Sequence, residues 1–188
     1  MGTSKALLDC RGEPFVVRIL EAIEALDLKT RVVVVGPDAS RIRPVLTRHE
    51  CLVVENPDTD GGQIASLRCA LGALELIRPP AILVWPVDLP HVHVSSVERL
   101  IEAYRRGRHP VTVPSFAGLR GHPVIWDQSV FDELRTSAEA TRDGARAVLH
   151  AHAKDLQQVP VDDPAVTDAI NTPADYERLI RHINRDAY

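Results

Sequence analysis

The chain has 188 residues, 45% hydrophobic and 26% charged, and its 22 Lys+Arg against 26 Asp+Glu give a formal charge of −4. That usage fits one globular α/β-sized domain and excludes the strongly basic balance of a nucleic-acid binder. Three cysteines without CxxC spacing argue against a disulfide framework or zinc ribbon, and no apolar run reaches about 18 residues; the expectation is a cytoplasmic protein with no membrane or nucleic-acid partner.

Along the chain, Pro14 at a first-turn position predicts a helix with Phe15, Ile19, Ile23 and Leu26 on one stripe. Strands are predicted at 31–35 and 51–54. Ile64, Leu67, Leu71 and Leu74 then form a second helical stripe, beginning just after Gly61-Gly62. A strand at 81–85 precedes a helix carrying Val97, Leu100, Ile101 and Tyr104. The basic run Arg105, Arg106 and Arg108 at its end reads as a solvated helix terminus. Further strands are predicted at 110–113, 122–126 and 156–159. Thr172-Pro173-Ala174-Asp175 reads as an N-cap, a proline at the first helical position and an acid at the third. The helix it opens should bury Tyr176, Leu179, Ile180 and Ile183.

Short β-branched runs alternating with helical segments predict a βαβ architecture with a mainly parallel sheet, of the α/β class. Runs apolar on both faces, such as Val32–Val35, suit strands covered by helices on both sides. Most prolines fall at the ends of the predicted elements or between them.

In an open parallel sheet, ligands bind beyond the carboxyl ends of strands. Asp88 follows the apolar run 82–85, where its carboxylate would suit Mg²⁺, a hard cation that bridges to substrate phosphates; a loop aspartate capping the next turn is the plainer alternative. Gly61-Gly62 before a helix permits close approach by a ligand, with Ser66 one turn further on, or serves only as a connection. Gly118-Leu119-Arg120-Gly121-His122-Pro123 enters a strand with a titratable histidine, which a tight turn would also explain. Asp168 or Asn171 offers an oxygen ligand just before the last helix. His91 and His93 have no further ligands at zinc spacing and read as surface histidines, and His150 and His152 fall on different faces of a helix.

Taken together and in order, these segments resemble the MobA-like nucleotidyltransferases, most closely the molybdenum cofactor cytidylyltransferase branch. The likeness rests on Met1-Gly2-x-x-Lys5-x-Leu7-Leu8, Gly12-x-Pro14, Val35-Gly36, and Asn56-Pro57 with Gly62 and Ser66-Leu67. It continues through Asp88-x-Pro90, Pro114 with Gly118-x-x-Gly121-His122-Pro123, Gly144-Ala145-Arg146, and Asn171-Thr172-Pro173-x-Asp175.

The resemblance implies a three-layer Rossmann-like nucleotidyltransferase fold with a mainly parallel sheet, in a single domain over 1–188. It also implies transfer of a nucleoside monophosphate, CMP from CTP or else GMP from GTP, onto a phosphorylated acceptor such as molybdopterin, with release of pyrophosphate. Lys5 matches the family's phosphate-binding lysine and Asp88 its Mg²⁺-binding aspartate. Gly62 and Ser66 match the region that meets the nucleobase, and Gly121, His122 and Pro123 would line the acceptor side. A molybdoenzyme or chaperone partner is a further implication, and a sugar or phospholactate acceptor would stay within the superfamily.

Two departures from the pattern stand out. The family's apolar first strand and its phosphate loop, of the form Leu-Ala-Ala-Gly-x-Ser-x-Arg, precede the position of Met1 and are not in this chain. Asn171 stands where many members have the aspartate before Thr-Pro, which keeps an oxygen for a metal and removes a charge. The first departure motivates a second reading, a non-catalytic nucleotide-binding or interaction protein on the same scaffold.

Overall fold

Alternate residues of the central strands face opposite helical layers, and this sorting fixes the architecture. The computed structural model describes residues 4–28, 30–58 and 60–185. A 3₁₀ turn at Lys5–Leu7 leads into a hairpin of β1 (Asp9–Cys10) and β2 (Glu13–Pro14), then α1 (Phe15–Ala25) and β3 (Val32–Val35). Next come α2 (Ala39–Ile42), a 3₁₀ turn at Arg43–Leu46, β4 (Leu52–Glu55), α3 (Gly62–Ala73), β5 (Ala81–Val84) and α4 (Val94–Gly107). β6 (Val111–Phe116), β7 (Leu119–Arg120) and β8 (Val124–Asp127) follow, then a 3₁₀ turn at Gln128–Val130 and α5 (Phe131–Thr136). The chain ends through α6 (Ala138–Asp143), α7 (Ala145–Ala151), β9 (Gln157–Pro160), a 3₁₀ turn at Pro164–Thr167 and α8 (Pro173–Arg185).

β3 and β4 form a parallel pair. In the larger sheet the order is β5-β8-β6-β7, with β9 parallel to β6 on its other pairing. β5, β6 and β9 run the same way; β8 runs against them because the short strand β7 turns the chain back from β6. Among the described residues no hydrogen-bonded ladder joins β3 to β5.

Ile82 and Val84 of β5, Val111 and Val113 of β6, and Val124 and Trp126 of β8 belong to one cluster with Ile64, Leu67 and Leu71 of α3 and with residues of α5, α6 and α7. Their sequence neighbours Ala81, Leu83 and Ile125 belong to the opposite cluster, with Val97, Leu100 and Tyr104 of α4. That is the period-two sorting of a sheet covered on both faces. Leu71, Leu100 and Leu134 are fully buried, each worth about 1.5–3 kcal/mol of hydrophobic stabilisation. A third cluster joins Val16, Val17 and Leu20 of α1 to Val33, Val35 and Val53, and a fourth joins Cys10 and Phe15 to Leu179 of α8 and to Ile170 in the segment before it. Because α3 packs on β3 and β4 and also shares a cluster with Ile82 and Val84, it ties the two sheets together through side chains.

Three expectations shift in detail. Pro14 ends β2 and occupies the N-cap position, so α1 begins at Phe15, one residue later than predicted. The β1–β2 hairpin was not expected; Arg11 and Gly12 both take positive φ, the geometry of a two-residue turn. The last helix opens as predicted: Thr172 Oγ1 accepts from Asp175 N (3.2 Å), and Asp175 accepts from Thr172 N (2.8 Å). Leu179 is buried there, whereas Tyr176, Ile180 and Ile183 are half-buried.

Candidate active site

Lys5 and Asn171 are 166 positions apart in the chain, and packing brings them together. The Ile170 amide donates to the Asp88 carbonyl (2.9 Å), which lays the segment before α8 alongside the loop that follows β5. On its other side α8 packs against the N-terminal hairpin, where Tyr176 Oη donates to the Asp9 carbonyl (3.0 Å) and the Phe15 and Tyr176 rings lie 6.0 Å apart. Lys5, in the first 3₁₀ turn, is thereby set between the two. Its ammonium donates to Asn171 Oδ1 (2.6 Å) and stands 3.7 Å from the Asp88 carboxylate.

The capping box fixes Asn171 as well. Asp175 Oδ2 accepts from the Asn171 amide (3.1 Å), and the Thr172 hydroxyl and then Arg178 hold the Asp175 carboxyl well below the usual carboxylate range. Arg178 also reaches Asp168 Oδ1 (2.6 Å), so Asp168 is engaged in an ion pair.

A cavity of about 720 Å³ opens on the α3 face of the sheet. Gly62 lines it at the start of α3, where its φ of +62° suits glycine. Ser66 stands one turn on and is not part of the cavity wall; its Oγ accepts from Asn56 Nδ2 (3.2 Å), which leaves its own proton free to donate. Gly121 and His122 line the opposite side, while Pro123, buried behind a cis bond to His122, does not. Gly121 packs so closely on the Val166 carbonyl that a Cβ there would collide with it, and the His122 amide donates to that same carbonyl (2.8 Å). Gly118, by contrast, forms the turn between β6 and β7 with Ala117, both at positive φ, and lies outside the cavity.

His122 Nδ1 is buried without a hydrogen-bond partner. Burial pushes the His122 pKa below its ordinary value, and the nearby Asp88 charge partly opposes the shift. The imidazole, which lines the cavity, is thus within electrostatic reach of Asp88.

His91 corrects an expectation. Predicted as a surface residue, it is largely buried beneath Asp168, its Nε2 3.8 Å from the Asp168 carboxylate. Burial lowers its pKa as well. The folding-back of the segment before α8 covers it, which the local His91-x-His93 pattern does not show.

Other residues of the site carried no sequence signal. Arg68 on α3 donates to the Leu134 and Ser137 carbonyls (3.0 and 3.2 Å) and to Thr141 Oγ1 (2.9 Å), tying α5 and the α5–α6 junction to α6, whose last residues from Thr141 line the cavity. Asp163, only 1% exposed, accepts from the His93 amide and Ser96 Oγ (both 2.9 Å) and so caps α4 from a distant part of the chain.

Among the described residues no three His, Cys, Asp or Glu side chains cluster as a ready-made metal site. The Asp88 carboxylate and the Asn171 amide oxygen do converge on a cation, the Lys5 ammonium. Two hard oxygens of this kind fit a divalent ion that takes its remaining ligands from phosphates and water. No helix among the described residues is long and apolar enough to cross a membrane.

The sequence and the fold resemble those of known proteins. The chain is 25% identical over 183 residues, 94% of its own length and 87% of the relative's, to nicotine blue oxidoreductase of Paenarthrobacter nicotinovorans. Its fold matches the crystal structure of Rv0371c from Mycobacterium tuberculosis at a TM-score of 0.81, with 25% identity over 96% of this chain and 90% of that one. The same mycobacterial protein in complex with manganese matches at 0.76, with 24% identity over 96% and 93% of the two chains. Molybdopterin-guanine dinucleotide biosynthesis protein A from Archaeoglobus fulgidus matches at 0.70, with 21% identity over 98% and 92%. A family model described as the MobA-like NTP transferase domain matches residues 1–157, and the chain belongs to that family of nucleotidyltransferases.

Proposed function

We propose that this protein transfers a nucleoside monophosphate, CMP from CTP, onto a phosphorylated acceptor such as molybdopterin. The observation that carries the reading is the Lys5 ammonium held between Asn171 and Asp88 at the end of β5, next to the cavity that Gly62 and His122 line. An oxygen of the acceptor phosphate attacks the α-phosphorus of the NTP. The bond from that phosphorus to the β-phosphate oxygen breaks, and pyrophosphate leaves with the electron pair.

Such a displacement needs charge neutralisation and alignment more than a protein nucleophile. Lys5 supplies a fixed positive charge for the phosphate oxygens, and Asn171 and Asp88 fix its position. Asp88 and Asn171 would hold Mg²⁺, which when bound neutralises triphosphate charge; the manganese complex of the mycobacterial relative supports a divalent ion here. Gly62 allows the nucleobase close to the backbone, and Ser66, oriented by Asn56, has a hydroxyl proton to donate to it. Gly121, His122 and Pro123 form or support the acceptor side. The three free cysteines, Cys10, Cys51 and Cys69, fit a reducing, cytoplasmic setting.

The test is incubation with CTP, Mg²⁺ and molybdopterin while pyrophosphate is measured, with GTP in a parallel arm. Release with CTP that depends on Asp88 supports the reading. Absence of pyrophosphate with every NTP and acceptor pair counts against it.

Among the described residues no ladder joins β3 to β5, which favours a second reading, nucleotide binding without turnover. Calorimetry with CTP and GTP separates the two, since turnover by the 188-residue protein eliminates this one.

A further inference from the structure

The cavity beside the site is chemically two-sided. Its wall toward the sheet is apolar, built by Val113, Val124 and Trp126 with Leu149 of α7. Its exposed rim carries Arg120 of β7 and Arg146 of α7, contributed by two different elements. Among the described residues neither guanidinium has a hydrogen-bond or ion-pair partner. Arg142, also on the rim, is neutralised by Asp143 at 3.1 Å.

Two unpaired guanidiniums over an apolar wall are an electrostatic asymmetry that a ligand can complete. The planar fork of arginine matches an oxyanion with two parallel hydrogen bonds, and the low-dielectric wall strengthens the attraction. The phosphate that reacts is not that oxyanion. Its place is with Lys5 and Asp88, which do not line the cavity, and His122 is the lining residue that senses Asp88. Arg120 and Arg146 are then available to a different part of the acceptor.

Resting on the nucleotidyltransferase reading, we propose that the acceptor carries a second oxyanion, remote from the phosphate that reacts, and that Arg120 and Arg146 bind it as specificity-determining residues. The body of the acceptor lies along the apolar wall between the two anionic ends. Preference for doubly anionic acceptors then belongs to β7 and α7 and is separate from the Lys5–Asp88 chemistry.

Small probes test this without knowledge of the acceptor. Benzyl phosphate has one oxyanion; 4-(phosphonooxymethyl)benzoate adds a carboxylate, and 1,4-xylylene bisphosphate a second phosphate, at the far end of the ring. Binding is read by calorimetry in the presence of CTP and Mg²⁺. The expected result is a gain of about tenfold or more in affinity for at least one two-ended probe over benzyl phosphate, the size of one charge-assisted contact. That gain disappears in R120Q/R146Q, while affinity for benzyl phosphate and for CTP stays unchanged; whichever two-ended probe gains more identifies the second group as carboxylate or phosphate. Equal binding of all three probes, or a gain that survives in R120Q/R146Q, overturns the proposal. Both positions are exposed, so the variants keep the fold. Failure of pyrophosphate release with the wild-type protein would speak against the transfer reading, whereas this binding comparison speaks only to the arginine pair.

Discussion

The Lys5 ammonium lies 2.6 Å from Asn171 Oδ1 and 3.7 Å from the Asp88 carboxylate, so a single cation links the first turn of the chain to its last loop at the end of β5. In the proposed reaction, Lys5→Met removes the cation that would meet the transferring phosphoryl group, and Asp88→Asn removes the negative charge beside it. Each should lower the rate of pyrophosphate release by about 10²–10³. Melting temperatures should change little, because both side chains are partly exposed to solvent and contribute weakly to stability. A variant that keeps full turnover removes that residue from the chemistry.

Asn171 offers only a neutral oxygen. Asn171→Asp places a second carboxylate beside Asp88 and Lys5, and Mn²⁺ titrated into the variant, followed by electron paramagnetic resonance, should bind several-fold more tightly than to the wild type. Unchanged affinity would remove Asn171 from the ligand set.

Asp163 is a stability residue. Its carboxylate accepts from the His93 amide, Ser96 Oγ and the Ala165 amide (2.9, 2.9 and 3.0 Å) at a position only 1% exposed. Asp163→Ala leaves these donors without their partner in a dry interface, and urea unfolding should report a loss of about 2–4 kcal/mol. Asp163→Asn, which keeps an accepting oxygen, should lose less.

Acidification should weaken the fold in a defined window. Burial lowers the pKa of both His91 and His122 from 6.5, so between their folded values and about 6.5 the unfolded chain binds more protons than the native one. Stability therefore rises with pH across that window and falls as pH drops below about 6.5, levelling off once the folded values are passed. Thermal melts from pH 7.5 to 5 should show the decline, and His91→Gln and His122→Gln should each flatten it. A pH-independent melting temperature in the wild type would contradict the burial of these rings.

Features encoded by neighbouring residues were legible in the sequence. The capping box at Thr172 and Asp175 needs only a three-residue spacing, and the α3 stripe of Ile64, Leu67, Leu71 and Leu74 is buried as its period requires. Asp88 could be placed because ligand sites follow strand ends. Its meeting with Lys5 and Asn171 depended on family likeness, since no local rule pairs residues so far apart in the chain. The burial of His91, the Arg68 clamp and the remote cap from Asp163 are products of tertiary packing, and a polar residue in isolation does not announce what will cover it. The β1–β2 hairpin escaped notice because each strand has two residues, too few for an alternating pattern, although Gly12 was a usable turn signal.

Mechanically, the protein behaves as two plates clasped by helices. Hydrogen-bonded ladders resist stretching and fix register, whereas side-chain contacts let packed elements slide, and among the described residues no ladder joins β3 to β5, which are linked through the side chains of α3. Asn56 follows β4 on one plate and Asp88 follows β5 on the other. A nucleotide gripping both would act as a strut, setting the spacing of the plates and stiffening each. If CTP is the substrate proposed, slower amide exchange in β3 and β5 on adding it is the expected sign, and the rigidity of this molecule would then belong to its ligand as much as to its chain.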